Sequence, residues 1–318
     1  MKKNFHLIEQ VIQEMGGIIE KIVPERNCFL IKIAGEKILF SRKFQIASDF
    51  ISGKMLTEHK DLTYVALKSN QLPTPKSACF YKKTLSEEKI STGLAPLHYP
   101  IVIKDADGSN SRGVFVNIKN FSEARKIILE KIEQYSNLIA QEMVFGKEFR
   151  VLILENKAIG VLEMIPPRIK GNAKNTIREL IELKQQMMPK KTPCDEALDG
   201  ILKKQGFTPD SIPQKNQFVF VKNNACLAEG GETKDATKQI HPALEQLCAR
   251  AAKAVGKNLA GIDLICDDIS KNPKEQFVSI LEINGKPDLY IHYNPTHGKT
   301  QNVIKEIINF ILELKKAV

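Results

Sequence analysis

The chain has 318 residues, 42% of them apolar and 26% charged, an ordinary composition for about two folded domains with room for sizeable cores. Its formal charge of +10 admits a polyanionic or phosphate-bearing partner, but the lysines are scattered, no basic block is interleaved with aromatics, and Trp is absent, which argues against a nucleic-acid-binding module. No apolar run approaches about eighteen residues, the six cysteines show no C-x-x-C spacing, and Met1 leads into an amphipathic helix rather than a signal segment, so the expectation is a cytoplasmic protein with reduced cysteines, no membrane span and no zinc or disulfide framework.

In chain order, Phe5 to Met15 reads as a short helix ended by Gly16-Gly17, and Ile18 to Phe40 as two or three short strands around Pro24 and Ala34-Gly35. Together they make a small α/β cap. A helix starts at Lys60 and runs to about Lys68, and Asn70 to Pro75 leads into a strand at Ser77 to Tyr81. Helix Ser86 to Ile90, strands Tyr99 to Lys104 and Gly113 to Ile118, helix Ser122 to Tyr135, and strands Leu138 to Glu142, Glu148 to Leu154 and Ala158 to Met164 follow. Strands with only two intervening helices are an α+β pattern, not a regular parallel βαβ series. Farther on come helix Thr176 to Gln186, a loop at Pro189 to Pro193, strand Phe218 to Val221, helix Pro242 to Val255, and a closing basic amphipathic helix, Val303 to Lys316, expected to pack its apolar face on the domain rather than on a membrane or partner.

The strongest chemical signal is a pair of apolar strands, Leu259 to Cys266 and Phe277 to Asn284, that carry carboxylates where a buried strand normally carries hydrocarbon. The polar segment between them is centred on Asn272-Pro273, and a hairpin symmetric about that point sets Asp263 opposite Glu282, with Asn284 on the same face. Two like charges opposite one another call for a cation between them, and hard oxygen ligands suit Mg2+ or Mn2+ rather than zinc. A plain hairpin with its polar residues in water is the competing reading. Two weaker signals precede it. The loop Lys104 to Gly113 offers small residues, the hydroxyls of Ser109 and Ser111 and the Lys104 charge to a phosphate, without the Gly-Lys-Ser/Thr and following helix of a P-loop, and it reads equally as an unliganded turn. The stretch Gln141 to Arg150 ends one strand and begins another. Backbone groups at Glu142 and Val144 there could meet an adenine edge and Glu148 a ribose, while on composition alone an exposed turn with a surface Glu/Arg pair is the simpler reading.

The order of these elements, with Lys60 ahead of them, resembles the ATP-grasp superfamily over essentially the whole chain. Gly171 followed by Thr176 to Leu183, the stretch Gly230-Gly-Glu-Thr-Lys-Asp-Ala-Thr237, and Glu282-Ile-Asn-Gly-Lys-Pro287 with His292, Pro295 and Gly298 are similar to the ATP-grasp region of cyanophycin synthetase and to the C-terminal ligase half of the bifunctional glutamate-cysteine ligase/glutathione synthetase. The resemblance implies an α+β ATP-grasp fold in which two subdomains grip ATP: residues 1–57 as the cap, 58–140 as the small subdomain with the phosphate loop, and 141–318 as the large subdomain with the metal hairpin and substrate loops. It implies an ATP-dependent carboxylate-amine ligase working through an acyl phosphate on an amino acid or short peptide, with two Mg2+ ions, or Mn2+ in their place. Lys60, Lys104, Ser109, Ser111 and Gly113 would hold the phosphates, Glu142 and Val144 adenine, Glu148 ribose. Asp263, Glu282 and Asn284 would be the metal ligands, while Arg150, Lys222 and Arg168, with Asn284, would serve the acyl-phosphate chemistry. Gly230, Gly231, Asp288 and His292 would lie toward the substrate.

Several positions depart from the family pattern. Gln141 stands where an acidic residue is common, Asn172-Ala173 replaces an acidic-glycine pair, Glu232 and Lys234 replace small apolar residues, and Lys286, Asp288 and Tyr290 are unusual after the hairpin. These changes imply altered substrates, or a nucleotide-binding protein that no longer ligates. His292 and His297 bracket Asn294-Pro295 without metal-ligand spacing and read as loop-packing or orienting residues before metal ligands or bases. Small-molecule partners are expected, neither nucleic acid nor membrane, and a homo-oligomer is compatible with everything above.

Overall fold

The computed structural model describes residues 2–23, 28–41, 51–108, 113–185 and 196–316. Its elements run α1 (Lys2–Glu14), β1 (Ile18–Val23), β2 (Cys28–Ile33), β3 (Glu36–Ser41), α2 (Ile51–Glu58), α3 (Lys60–Ser69), β4 (Ser77–Tyr81), α4 (Glu87–Leu94), β5 (Ile101–Asp105), β6 (Val114–Ile118), α5 (Phe121–Tyr135), β7 (Asn137–Glu142), β8 (Lys147–Leu154), β9 (Lys157–Ile165), β10 (Arg168–Lys170), α6 (Ile177–Gln185), α7 (Glu196–Lys204), β11 (Phe218–Phe220), β12 (Glu232–Asp235), α8 (Pro242–Ala254), β13 (Leu259–Cys266), β14 (Val278–Asn284), α9 (Tyr290–Tyr293) and α10 (Val303–Lys316). They fall into two compact units, the first built from Met1–Leu162, Ala236–Asn294 and Thr300–Val318, the second from Glu163–Asp235 and Pro295–Lys299.

In the first unit, β1, β2 and β3 form an antiparallel meander backed by α1. Leu7, Ile8, Val11 and Ile12 recur along one helical face and bury against Phe29, Ile31, Ile33 and Ile38. Helix α10 repeats that spacing with Val303, Ile304, Ile307 and Ile308 in the same cluster, so the first and last helices share one core. At roughly 1.5–3 kcal/mol per buried aliphatic side chain, this packing explains why the closing helix covers the protein.

A second sheet, in the order β4-β7-β5-β6, is antiparallel and lies under α4 and α5. The side chain of Ser86 accepts from Lys89 N–H at 3.2 Å and that of Asn120 from Glu123 N–H at 2.9 Å, so both helices start at N-cap residues. The third sheet runs β12-β9-β8-β13-β14, with β8 and β14 antiparallel to β13 on either side. Every residue of β13 is buried. One face of this sheet, with Phe149, Val151, Ile153, Ala260, Ile262 and Leu264, packs on α8. The opposite face begins apolar at Leu152, Leu154 and Leu259, beside the cap, and turns charged at Arg150, Glu148 and Asp263 farther along the same strands. That change of character within one sheet face positions the site.

The second unit has its own core of Ile169, Ile177, Ile181, Leu198, Leu202, Val219 and Val221 between the β10-β11 ribbon and α6 and α7. The expected helices and strands recur within a few residues, apart from the Pro189 to Pro193 loop, which lies outside the described residues. Five elements had no sequence signal, one of them the four-residue α9. Helix α2 carries Gly53, whose missing side chain would sit 2.7 Å from Gly256 O; α7 carries Gly200; β10 is three residues after a Pro-Pro pair; β12 is polar throughout. Among the described residues Cys79, Cys226, Cys248 and Cys266 are free thiols, and no helix is long and apolar enough to cross a membrane.

Candidate active site

Asp263 of β13 pairs in register with Glu282 of β14, as loop symmetry predicts. A bulge follows at once, so Leu264 meets Ile280 and the register beyond the site is displaced. On its other side Asp263 pairs with Arg150 of β8. The Arg150 fork grips both carboxylate oxygens, with Nη2 donating to Oδ2 at 2.9 Å and Nε to Oδ1. Asn284 Nδ2 donates to the same Oδ2 at 3.1 Å, leaving its amide oxygen for another partner. Gly261 lies beside this pair because a Cβ there would be 3.2 Å from both Arg150 Cδ and Pro287 Cβ.

Lys104, on β5, donates to Gln141 Oε1 at 2.9 Å, and Gln141 Nε2 donates to Ser77 Oγ at 2.9 Å. Gln141 is buried, and as a neutral acceptor it orients the ammonium without cancelling its charge, which gives the amide at that position a physical purpose. Lys60 opens α3, its N–H donating to Ala106 O at 2.9 Å and its Nζ to Gly108 O, so the helix start is tied to the loop after β5. His59 and Asp107 add a contact at 2.5 Å, and Asn137 Nδ2 donates to the other Asp107 oxygen at 2.9 Å.

Three cations, Lys60, Lys104 and Arg150, thus face three carboxylates, Glu148, Asp263 and Glu282, within mutual electrostatic reach. Burial pushes Glu148 up to about 7, helped by Asp263 and opposed by Arg150 and Lys104. It raises Glu282 too, again with Asp263 adding to it. It lowers Lys104 despite the pull of Glu282. For Arg150, burial works against the charge, and Asp263 more than offsets it. Among the described residues no three His, Cys, Asp or Glu side chains are placed to hold a metal ion unaided. Asp263, Glu282 and the Asn284 amide oxygen nevertheless form a hard-oxygen set. Mg2+ takes one or two protein carboxylates and fills its remaining positions with water and phosphate oxygens, so the residues fit that ion.

Other expected site residues stand apart from this group. Ser109 and Ser111 lie outside the described residues. Gly113 has φ +68 and packs on Asp105 and Tyr135, where any side chain would collide. Glu142 binds His98 through its carboxylate, at 2.8 Å to N and 2.7 Å to Nδ1, and its own N–H donates to Lys76 O; Val144 is half-buried in the turn after it. Asp288 is exposed and accepts from Tyr290 N–H at 3.0 Å. His292 is fully buried against Gly160, where a Cβ would come within 2.6 Å of the ring, which fits the packing reading of this histidine and not a surface contact with substrate.

Arg168, Lys222, Gly230 and Gly231 belong to the second unit. Lys222 Nζ donates to Glu229 at 2.8 Å; Gly230 takes φ +96, and Gly231 has no room for a side chain beside Ala225 O. Arg168 stacks on Phe218 at 3.9 Å and donates Nε and Nη2 to Glu232 Oε2 at 3.0 and 2.8 Å. His297 Nε2 lies 2.9 Å from the same oxygen, and Lys184 Nζ 3.4 Å from Oε1. Lys184 and the joining of Glu232 with His297 had no sequence signal beyond the oddity of an acid at position 232.

The family model of the ATP-grasp domain matches residues 57–288. Cyanophycin synthetase of Geminocystis herdmanii is 30% identical over 273 residues, which is 82% of this chain and 31% of that protein. The glutathione biosynthesis bifunctional protein GshAB of Clostridium perfringens is 26% identical over 307 residues, 93% of this chain and 39% of its own length. The chain therefore spans well under half of these relatives. A crystal structure of a bifunctional glutathione synthetase from Pasteurella multocida matches the fold with a TM-score of 0.70 at 22% identity, over 96% of this chain and 43% of that one. The matched stretch opens just before α3 and closes just past β14, taking in the lysines, the carboxylate face and Arg168 with Glu232, and so this chain belongs to the ATP-grasp family.

Proposed function

We propose that this protein is an ATP-dependent carboxylate-amine ligase that forms an amide or peptide bond through an acyl phosphate, releasing ADP and phosphate. The observation that carries it is that the cations Lys60, Lys104 and Arg150 meet the carboxylates Glu148, Asp263 and Glu282 of one sheet face, in a chain of this family. Phosphoryl transfer needs alignment and charge neutralisation more than a protein nucleophile. Lys104, oriented by Gln141, and Lys60 at the start of α3 bind phosphate oxygens. Glu148 accepts from ribose hydroxyls, and main-chain groups at Glu142 and Val144 meet adenine. Asp263, Glu282 and Asn284 would hold Mg2+, which would supply positive charge to offset that of the phosphates. Arg150 reaches the transferring phosphoryl group from beside Asp263, and Arg168 and Lys222 neutralise the acyl phosphate.

In this reading residues 58–140 and 141–318 are the two gripping subdomains and 1–57 the cap, and the protein works in the cytoplasm on an amino acid or short peptide. ADP and phosphate release, measured against a panel of amino acids and dipeptides with product mass spectrometry, tests it. Turnover that needs both a carboxylate and an amine supports it. ATP binding with Mg2+ but no stimulation by any pair would leave a nucleotide-binding protein and end the ligase reading.

A further inference from the structure

Lys286, one of the unusual residues after the hairpin, has no part in the phosphate and metal groups described above. It lies two residues past Asn284, and its Nζ donates to Glu58 Oε1 at 2.9 Å. Glu58 ends α2 and stands two residues ahead of Lys60. The pair therefore ties the chain leaving the metal hairpin to the chain entering α3. The two segments also touch beside it. Gly285 packs on Thr57, where any side chain would strike Thr57 Oγ1, and that hydroxyl is committed to Gly53 O at 2.8 Å and Lys54 O at 3.1 Å. Both segments lie within the first compact unit. The ladder between β13 and β14 ends where Gly261 meets Asn284, so Gly285 and Lys286 lie beyond it. On the other side His59 is the N-cap of α3, yet its side chain makes no cap bond and turns to Asp107 instead. The bonds from Lys60 run to Ala106 and Gly108, in the loop after β5, and the charged link to the metal hairpin comes from Glu58.

We propose that Glu58 and Lys286 are positioning residues that hold Lys60 at a set distance from Glu282 and Asn284, so that the phosphate end and the metal end of the site fill together. The inference rests on the ligase reading, which gives Lys60 to phosphate and Asp263, Glu282 and Asn284 to Mg2+, and it deepens that reading. Lys60 already lies within electrostatic reach of Glu282 and pulls it toward ionisation. The hydrogen bond from Lys286 holds the Glu58 carboxyl below its usual range, so the clamp is an ion pair whose charges cancel and add nothing net to the site. Its side chains are 33% and 47% exposed, and a pair that wet adds little to the stability of a fold. What it sets is a separation. A phosphate held by Lys60 and a cation held beside Glu282 strengthen each other at contact distance, and that attraction falls as the gap widens and water enters it. Letting the lysine segment drift from the hairpin loses the mutual term while each single binding event stays nearly intact. The signature is therefore in the coupling between metal and nucleotide rather than in either affinity alone.

Calorimetry of ADP binding to the full chain, with Mg2+ and with chelator, reads that coupling as the ratio of the two dissociation constants. In wild type Mg2+ should tighten ADP by roughly 5- to 150-fold. Lys286→Met and Glu58→Gln should each lower this factor by about twofold or more, with the Mg2+-free constant and the melting temperature close to those of wild type. The double variant should lose no more than either single one, because each already breaks the one pair. Exchanging the charges, Glu58→Lys with Lys286→Glu, should restore most of the factor. A factor in Lys286→Met equal to that of wild type overturns the proposal. So does a loss that the exchanged pair fails to restore, which is the behaviour of a lysine that touches the phosphates itself. Wild-type protein whose ADP affinity ignores Mg2+ overturns the shared metal and phosphate site, and with it the ligase reading; coupling present in wild type and unchanged in the variants overturns the clamp alone.

Discussion

Replacing Glu148 by Gln removes a carboxyl that the folded protein holds in an unfavourable place. Its folded value of about 7 against an ordinary 4.5 means that the proton is held more tightly in the folded state. Below about pH 4.5 the group is neutral in both states and costs nothing. As pH rises from there to 7 the unfolded chain loses its proton first, so stability falls, and above 7 the whole penalty is present. The difference of about 2.5 in pKa corresponds to about 3 kcal/mol at pH 8.5 and under about 1 kcal/mol at pH 5. Urea denaturation of ligand-free protein in chelator, at both pH values, reads it. Subtracting one pH from the other cancels whatever the amide does to packing. The stabilisation by Glu148→Gln should therefore grow by about 2 kcal/mol between pH 5 and 8.5. A difference between variant and wild type that does not change with pH would refute the burial argument for this face.

Arg150→Met leaves Asp263 buried without its fork and should cost about 3–5 kcal/mol in denaturant stability, part of which returns in the double variant with Asp263→Asn; a cost under about 1 kcal/mol would show that the pair is solvated. Glu282→Ala should abolish ATP turnover while the melting temperature stays level or rises, because the lost carboxyl is one that burial disfavours; wild-type-like activity would remove Glu282 from the metal set. Gln141→Leu leaves both Lys104 Nζ and Ser77 Oγ without that partner and should lower stability by about 1–3 kcal/mol and raise KM for ATP; an unchanged KM would separate Lys104 from nucleotide binding. Mg2+ and ADP should each bind more tightly in the presence of the other, by about 1–3 kcal/mol of coupling, as read by calorimetry; independent binding would argue that the two occupy unrelated sites.

Part of this site is legible in the sequence because part of it is local. The pairing of Asp263 with Glu282 follows from one hairpin, and the symmetry of a polar loop is enough to set it. The bulge beyond Asp263 is not legible, since nothing in the strand composition marks which residue is extra. The partnership of Arg150 with Asp263 spans 113 residues and depends on β8 lying beside β13, which no local pattern specifies. Gln141 shows the same limit differently. By composition it is a missing acid, and only the positions of Lys104 and Ser77 turn it into an orienting group. In the second unit Glu232 meets Arg168 from 64 residues away and His297 from 65, so an acid that looks misplaced along the chain is the centre of a hydrogen-bonded cluster in space.

The two charged groups in this protein are satisfied in opposite ways. Around Glu232, one carboxylate has Arg168, Lys184 and His297 in contact, two hydrogen bonds come from Arg168 alone, and ionisation is favoured as the structure stands. At the β8-β13-β14 face, where Lys60 of α3 and Lys104 of β5 join Arg150, cations and carboxylates are equal in number, yet groups of both signs are pushed toward neutrality: Glu148 and Glu282 up, Lys104 down. Equal numbers therefore do not amount to pairing. Apart from the Arg150–Asp263 fork the charges are close enough to be desolvated together and not arranged to neutralise one another, so desolvation wins over attraction. A ligand of one sign would relieve one half and worsen the other. An anion with several oxygens beside the lysines, together with a hard cation beside the carboxylates, relieves both, and a metal-nucleoside phosphate is the chemical form in which those two arrive joined.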